Sequence, residues 1–403
     1  MRAILPLFAL LGLAACSSSS ATGGNSSQGA GGSTSHTTSS ATGSSKSDAS
    51  ASTSTGTGGA GAGGAGTGGS SFMPGEPITA PAGEWTWVPF DNAFCGNGTT
   101  TGIGINPSST PNARLLFYFE GGGACWNELF CYTLMTASYF TTGYGESDFM
   151  TEASDTTYLA LPGGYFDRTA AGNPFKDYSY VYVPYCTGDI HAGNNVMTYG
   201  SNKAHFVGFK NVEAYLERIV PTFASTDRVI IAGSSAGGFG AAFNWWQTQQ
   251  AFGSKIRVDL LDDSGTPMPP DIEADGYGEG NLRTAWNLAA TLPPGCTQCK
   301  TSLVGLLGFY EQQFPTHRLA LLSYVQDSVL PSFFGITEPE FEQGLMEDQT
   351  AYFGASTNAK YFTVSSADHV LFFGTTPATD YAPLQQFVTQ MVTDDPSWAS
   401  QAL

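Results

Sequence analysis

The run Arg228-Val229-Ile230-Ile231-Ala232, followed at once by Gly233-Ser234-Ser235-Ala236-Gly237, constrains this chain more than any other stretch. Apolar, β-branched residues predict a buried strand, and Gly-x-Ser-x-Gly behind it predicts a sharp turn into a helix. In such an elbow the glycines permit a strained backbone that lifts the middle residue, Ser235, clear of its neighbours. With 50 glycines in the chain, the same five-residue pattern also fits an ordinary strand-to-turn junction. Its meaning depends on whether a base, an orienting acid and an oxyanion site follow in a workable order.

Further short apolar runs are spaced widely enough for crossover helices, which predicts a mainly parallel sheet. Leu115 to Phe119 leads into Glu120-Gly121-Gly122-Gly123, and Tyr180 to Pro184 leads into Tyr185-Cys186-Thr187-Gly188-Asp189. A helical stretch from about Gly238 to Gln250 follows the elbow. Arg257 to Leu261 runs into Asp262-Asp263-Ser264-Gly265, Leu319 to Tyr324 into Gln326-Asp327, and Tyr361 to Val364 precedes Asp368-His369. In an open α/β sheet, function gathers beyond the carboxyl ends of strands, where all these polar residues lie.

The α/β-hydrolase arrangement demands the chain order Ser, then Asp or Glu, then His. Of five histidines, His36, His191 and His205 precede the elbow. His317 comes before the strand that starts near Leu319, at the wrong end of the sheet. His369 follows the last strand, where the base belongs. Asp327, after the second strand beyond the elbow, is the preferred acid; Asp263, after the first, is the alternative, or else a turn residue or support for the site. His369 then takes the proton of Ser235 during attack on an ester carbonyl, and Asp327 orients and stabilises the imidazolium. The developing oxyanion meets the Ala236 N–H and an N–H from Gly122 or Gly123, where the missing Cβ lets backbone approach substrate. Gly121 to Gly123 lacks the Gly-Lys-Ser/Thr ending of a phosphate loop. This chemistry calls for no cofactor and no metal. For Asp189 and His191 a structural or pocket-lining role is preferred over a metal site, because no third ligand stands at fitting spacing.

The ends and the composition bound the rest. Met1-Arg2 and the apolar stretch Ala3 to Leu13 read as a secretion signal over residues 1–15, too short to span a bilayer. Leu13-Ala14-Ala15-Cys16 resembles the bacterial lipobox, in which Cys16 becomes the lipidated first residue; ordinary cleavage with an incidental Cys16 is the alternative. Ser17 resembles an outer-membrane sorting signal, so an exported lipoprotein at the outer membrane or cell surface is expected, with plain secretion as the alternative. Residues 16–71 are almost wholly Ser, Gly, Thr and Ala, a disordered tether that buries too little apolar surface to offset its ordering entropy. About 55 such residues reach roughly 40 Å. Residues 72–403 are expected to form one catalytic domain, monomeric and touching membrane only through the lipid anchor. A net charge of −19, with 15 Lys and Arg against 34 Asp and Glu, argues against nucleic-acid binding and disfavours attraction to polyanions.

Beyond Cys16 stand six cysteines, an even number that favours three disulfides in an exported chain. Cys125 with Cys131 and Cys296 with Cys299 are close enough to close small loops, leaving Cys95 with Cys186, although spacing does not prove connectivity. A redox or half-zinc reading of Cys296-x-x-Cys299 stays open.

Tyr118-Phe119-Glu120-Gly121-Gly122-Gly123-Ala124-Cys125-Trp126-Asn127, Asn173-Pro174-Phe175, Pro184-Tyr185-Cys186-Thr187-Gly188-Asp189, Gly233-Ser234-Ser235-Ala236-Gly237-Gly238 and Asp263-Ser264-Gly265 resemble the pectin acetylesterase and Notum family of α/β-hydrolases. The resemblance implies carboxylesterase activity with Ser235, Asp327 and His369 as triad, and supports the pairs Cys95–Cys186 and Cys125–Cys131. It includes enzymes that deacetylate pectin and one that removes a fatty acyl group from a signalling protein, so the acyl group does not carry over. Two departures stand out: no cysteine lies near His369, and Gly123 stands where the animal enzyme has Trp. Trp126 and Asn127, beside the oxyanion loop, are candidates for the pocket wall, with core packing as the alternative for Trp126. The aromatic-rich stretch from Asn127 to Asp177 reads either as a rim over the site or as a packed excursion. The leading expectation is a secreted serine esterase acting on short acyl esters, such as acetyl groups on polysaccharide. The alternatives are a lipase, thioesterase or peptidase on the same scaffold, and a non-catalytic glycan-binding lipoprotein.

Overall fold

Apolar runs buried on both faces become the centre of a sheet, because only there are two layers available to cover them. The computed structural model of the protein describes residues 72–111, 113–156, 158–272, 279–372 and 378–403. The leader, His36, Cys16 and the tether to residue 71 lie outside the described residues. The strands are β1 (Thr86–Phe94), β2 (Thr100–Asn106), β3 (Leu115–Phe119), β4 (Ser179–Val183), β5 (Asn195–Tyr199), β6 (Asn202–Phe206), β7 (Arg228–Ser234), β8 (Arg257–Asp263), β9 (Leu319–Tyr324), β10 (Ala359–Val364) and β11 (Gln401–Ala402). The helices are α1 (Glu146–Ser154), α2 (Gly208–Thr222), α3 (Ala236–Phe252), α4 (Glu279–Ala285), α5 (Gly305–Gln313), α6 (Leu330–Phe334), α7 (Glu338–Asp348) and α8 (Ala378–Val392).

One nine-stranded sheet runs β1-β2-β4-β3-β7-β8-β9-β10-β11. From β4 to β11 neighbours are parallel, while β1 pairs β2, and β2 pairs β4, antiparallel. The mainly parallel α/β architecture is thus present, with an antiparallel hairpin at one edge. That hairpin and the separate β5–β6 hairpin carry too much glycine or polarity for a clean apolar signal.

Side chains alternate across the sheet with period two. Leu115, Phe117, Phe119, Val229, Ile231, Val258 and Leu260 enter one core, with Val212 and Tyr215 of α2, Trp245 of α3 and Tyr310 of α5. Leu116, Tyr118, Ile230, Ala232, Leu261 and Leu322 enter the other, with Leu384, Phe387 and Val388 of α8. Each fully buried large apolar side chain contributes about 1.5–3 kcal/mol. Phe149, Tyr165 and Phe175 are fully buried in the second core, so the 127–177 stretch is a packed excursion. Leu129, Leu134 and Met135 remain exposed on its near end. Disulfides join Cys95 to Cys186, Cys125 to Cys131 and Cys296 to Cys299; the first ties the edge hairpin to the carboxyl end of β4. The result is an α/β-hydrolase-like single domain, with β7, β8, β9 and β10 ending side by side.

Candidate active site

Ser235 is the one residue between β7 and α3, and its backbone adopts φ 56°, ψ −125°. A side chain at such a φ costs of order 1–3 kcal/mol unless its surroundings over-determine it. Here they do. The Ser235 N–H donates to the Asp263 carbonyl at 2.7 Å, and its own carbonyl accepts from Gly238 N–H at 2.8 Å. A Cβ at Gly237 would run into the Phe119 carbonyl oxygen, so only glycine lets α3 lie this close to β3. Ala236 opens the 17-residue α3, where helical N–H groups lack intrahelical partners and the macrodipole favours negative charge.

The glycine loop faces this helix end. Gly122 and Gly123 have φ 144° and 76°, values that a residue with a Cβ resists. The Gly122 carbonyl accepts from Ser138 N–H at 2.8 Å, and Gly123 forms an antiparallel bridge with Ala137. Behind the loop, buried Glu120 accepts the Tyr185 N–H at 2.7 Å on Oε2. Burial, then the charge of Glu152, raises the Glu120 carboxyl well above the usual range. His191 Nε2 lies 2.8 Å from the Glu120 carbonyl, which assigns the proton to Nε2. Burial pushes His191 down to about 4, so the ring is neutral at physiological pH. Asp189 is raised to about 6 by burial and accepts from Thr187 Oγ1 at 2.5 Å and from the N–H groups of Gly193 and Gly208 at 3.2 and 2.8 Å. Both residues therefore serve the scaffold under the loop.

At the ends of β9 and β10 the backbone is knitted together. Val325 N–H donates to Val364, Gln326 to Ser366 and Ser328 to Asp368, at 2.9, 3.2 and 3.2 Å. These bonds bring His369 Nδ1 within 2.7 Å of Asp327 Oδ2. Asp327 is fully buried, and its Oδ1 accepts the N–H groups of Val329 and Leu330, both at 2.8 Å. With both oxygens engaged, the carboxylate cannot turn away from the imidazole. His369 Nε2 is buried and has no hydrogen-bond partner among the described residues, so the bond to Ser235 Oγ is not formed in this structure. Such bonds are often long before substrate binds.

Ser235, Ala236 and Gly123 line one cavity of about 60 Å³ with Trp126, Ile190, Phe239, Leu282, Trp286, Leu303, Leu330, Phe333 and Phe334. Of the two pocket candidates read from sequence, Trp126 lines it, its ring tilted against Phe130 with centroids 4.3 Å apart. Asn127 does not. Its Oδ1 accepts Phe130 N–H at 3.0 Å, closing the turn behind the loop. Gly122 is also absent from the lining; the space where a Cβ would stand on it is taken by Ser138 and Tyr185. Sequence reasoning missed the apolar wall from Leu282 to Phe334. Its residues come from several separate segments between α4 and α6, and no local pattern marks them.

The comparisons with known proteins fit this geometry. A family model described as Pectinacetylesterase matches residues 87–301, which carry the glycine loop, the elbow and the end of β8. Among curated relatives, the palmitoleoyl-protein carboxylesterase NOTUM of Schmidtea mediterranea is 26% identical over 172 residues, 41% of this chain and 30% of that protein. The palmitoleoyl-protein carboxylesterase notum2 of Xenopus laevis is 26% identical over 177 residues, 42% of this chain and 34% of that one. The chain spans about a third of the length of these curated relatives. A solved structure of the Wnt deacylase Notum from Drosophila has TM-score 0.55 at 17% identity, covering 79% of this chain and 94% of that chain, a likeness of fold. Since the family match takes in more than half of the chain and every element that shapes Ser235 and its glycine loop, this protein belongs to the pectinacetylesterase family.

Proposed function

We propose that the protein is a serine carboxylesterase using Ser235, His369 and Asp327. The observation that carries this reading is the 2.7 Å contact of His369 Nδ1 with buried Asp327, two strand ends from an elbow serine that opens into a cavity. His369 Nε2 takes the Ser235 proton as Oγ attacks the ester carbonyl, and Asp327 stabilises the imidazolium. The N–H of Ala236 and one from Gly122 or Gly123 receive the oxyanion; of the two glycines, Gly123 lines the cavity. The alcohol leaves with the proton from His369, and water then releases the acyl group from Ser235 by the same base.

The substrate in this reading is a short acyl ester, such as acetyl on a polysaccharide, as the family's description suggests. A second reading, a longer acyl chain, is favoured by the aromatic and aliphatic wall of Phe239, Trp286, Leu330, Phe333 and Phe334 and by the relatives named for palmitoleoyl groups. Hydrolysis of aryl esters from acetyl to palmitoyl by the full chain, beside Ser235→Ala, tests both. Activity confined to short chains supports the deacetylase; a steep rise with chain length supports the second reading. Equal rates for Ser235→Ala and the parent would end the serine mechanism.

The three disulfides suit an oxidising compartment, which supports export. In this reading residues 1–15 are the leader, Cys16 carries lipid, residues 16–71 form the tether and the domain is monomeric. Retention of Cys16→Ser in the membrane fraction would contradict the anchor.

A further inference from the structure

Between the nucleophile strand and the base loop lies a carboxylate that the mechanism leaves unused. Asp263 ends β8, is fully buried, and sits beside both β7 and β9. Its carbonyl takes the Ser235 N–H at 2.7 Å. Its Oδ2 takes the Ser234 hydroxyl at 2.9 Å and the Phe372 N–H at 3.2 Å, and its Oδ1 takes the Leu371 N–H at 2.8 Å. One residue therefore bonds the elbow and the two residues that follow His369-Val370. We propose that Asp263 is a positioning residue that sets the spacing between Ser235 and His369, a reading that rests on the serine mechanism proposed above.

Three observations support this role. Asp263 bonds to neither imidazole nitrogen, since Nδ1 faces Asp327 and Nε2 has no partner among the described residues. Val370 adopts φ 57°, a left-handed conformation that costs a β-branched residue roughly 1–2 kcal/mol and relaxes unless neighbours hold it. The bonds from Asp263 to Leu371 and Phe372 are that hold. Finally, Leu371 and Phe372 are buried, so water is no substitute acceptor for their N–H groups. A carboxylate is required because both oxygens must accept; an amide offers one acceptor and turns two donors towards N–H groups. Burial raises the Asp263 carboxyl, while the N–H groups of Leu371 and Phe372 and the Ser234 hydroxyl draw it back down.

The test compares Asp263→Asn, Asp263→Ala, Ser234→Ala and Ser235→Ala in the full chain. It reads kcat per burst-titrated site and KM on an aryl ester, together with the rate of fluorophosphonate labelling of Ser235. Displacing a catalytic group by about 1 Å costs on the order of 100-fold. We expect Asp263→Asn to lower kcat and labelling by about that factor with KM within about twofold. Asp263→Ala, which keeps no side-chain acceptor, loses more, and Ser234→Ala, which removes one of the side chain's donors, loses a few-fold. A merely structural role would lower the melting temperature and leave kcat per titrated site within about twofold of the parent, and that result overturns the proposal. Where Asp263→Asn does not fold, unchanged labelling in Ser234→Ala overturns it equally. Full activity in Ser235→Ala refutes the serine reading and this proposal together; a dead Ser235→Ala beside a normal Asp263→Asn refutes the positioning role alone.

Discussion

The two ends of the sheet differ in how they hold buried charge and backbone strain. At the amino ends of β7, β8 and β9, Arg228 is 3% exposed and Asp259 fully buried. Arg228 donates through Nε to Asp259 at 2.6 Å and through Nη1 and Nη2 to the carbonyls of Val392 and Met391. Arg257 and Arg318 add bonds to Asp259, Asp394 and the last carbonyls of α8, where a cationic group also meets the negative end of the helix macrodipole. At the carboxyl ends, Ser235, Ser264 and Val370 have positive φ, and His369 Nε2 and Asp262 Oδ1 are buried without a partner among the described residues. The amino end has a left-handed residue too, Asp394, but Asp tolerates that conformation through its short polar side chain. The left-handed Ser235, Ser264 and Val370 gather at the end that holds the candidate site. The other end is tied by a dense set of charged bonds that hold the strands in register, even though His317 Nδ1 and Gln390 Oε1 are buried there without a partner among the described residues.

The comparison breaks first on chemistry. Ser235→Ala should lower kcat by roughly 10⁴–10⁶-fold with no loss of melting temperature, as steady-state kinetics and calorimetry would show. A variant as active as the parent would place the reactive group elsewhere. Asp327→Asn should cost about 10⁴-fold, because the imidazole loses the acceptor that fixes its tautomer. If Asp263→Asn costs more than Asp327→Asn in parallel assays, the acid has been misassigned. At the amino end, Arg228→Met should reverse the pattern. Leaving Asp259 buried without its main partner destabilises by about 3–5 kcal/mol, seen in denaturant unfolding, with kcat per folded molecule unchanged. A drop in kcat would mean that the two ends are coupled.

The smallest effect concerns pH. Burial, then the charge of Asp263, pushes Asp262 up to about 8, far above an unfolded aspartate. The folded state therefore holds a proton that the unfolded chain releases. This group's contribution is fully present below about pH 4 and is lost as pH rises towards about 8. Asp262→Asn should flatten that decline in melting temperature measured from pH 4 to 8. An unchanged slope would assign the decline to other groups, such as Asp348, which burial also raises to about 8.

Much of this architecture is legible from local pattern. The apolar runs of β3, β7, β8, β9 and β10 mark themselves, because a strand covered on both faces must be apolar throughout. The elbow marks itself through glycines that neighbouring backbone requires. The edge hairpin of β1 and β2 is less visible, since Gly102 and Gly104 interrupt its pattern. Asn127 looked like a pocket residue because it adjoins the glycine loop in sequence, yet a turn captures its side chain. The apolar cavity wall was invisible, since Phe239, Leu282, Leu303 and Phe333 meet only through packing.

By itself, the sequence marked the apolar parallel strands, the elbow that holds Ser235 and the order of Ser235, Asp327 and His369 along the chain, because periodicity, steric demand at glycine and order along a chain are local or linear properties. Which aspartate meets His369, which bridges the elbow to the base loop, and what faces Ser235 were decided by tertiary structure alone. Those answers depend on β7, β8, β9 and β10 lying side by side. They depend also on backbone N–H groups, which every residue but proline carries and which only the fold can aim.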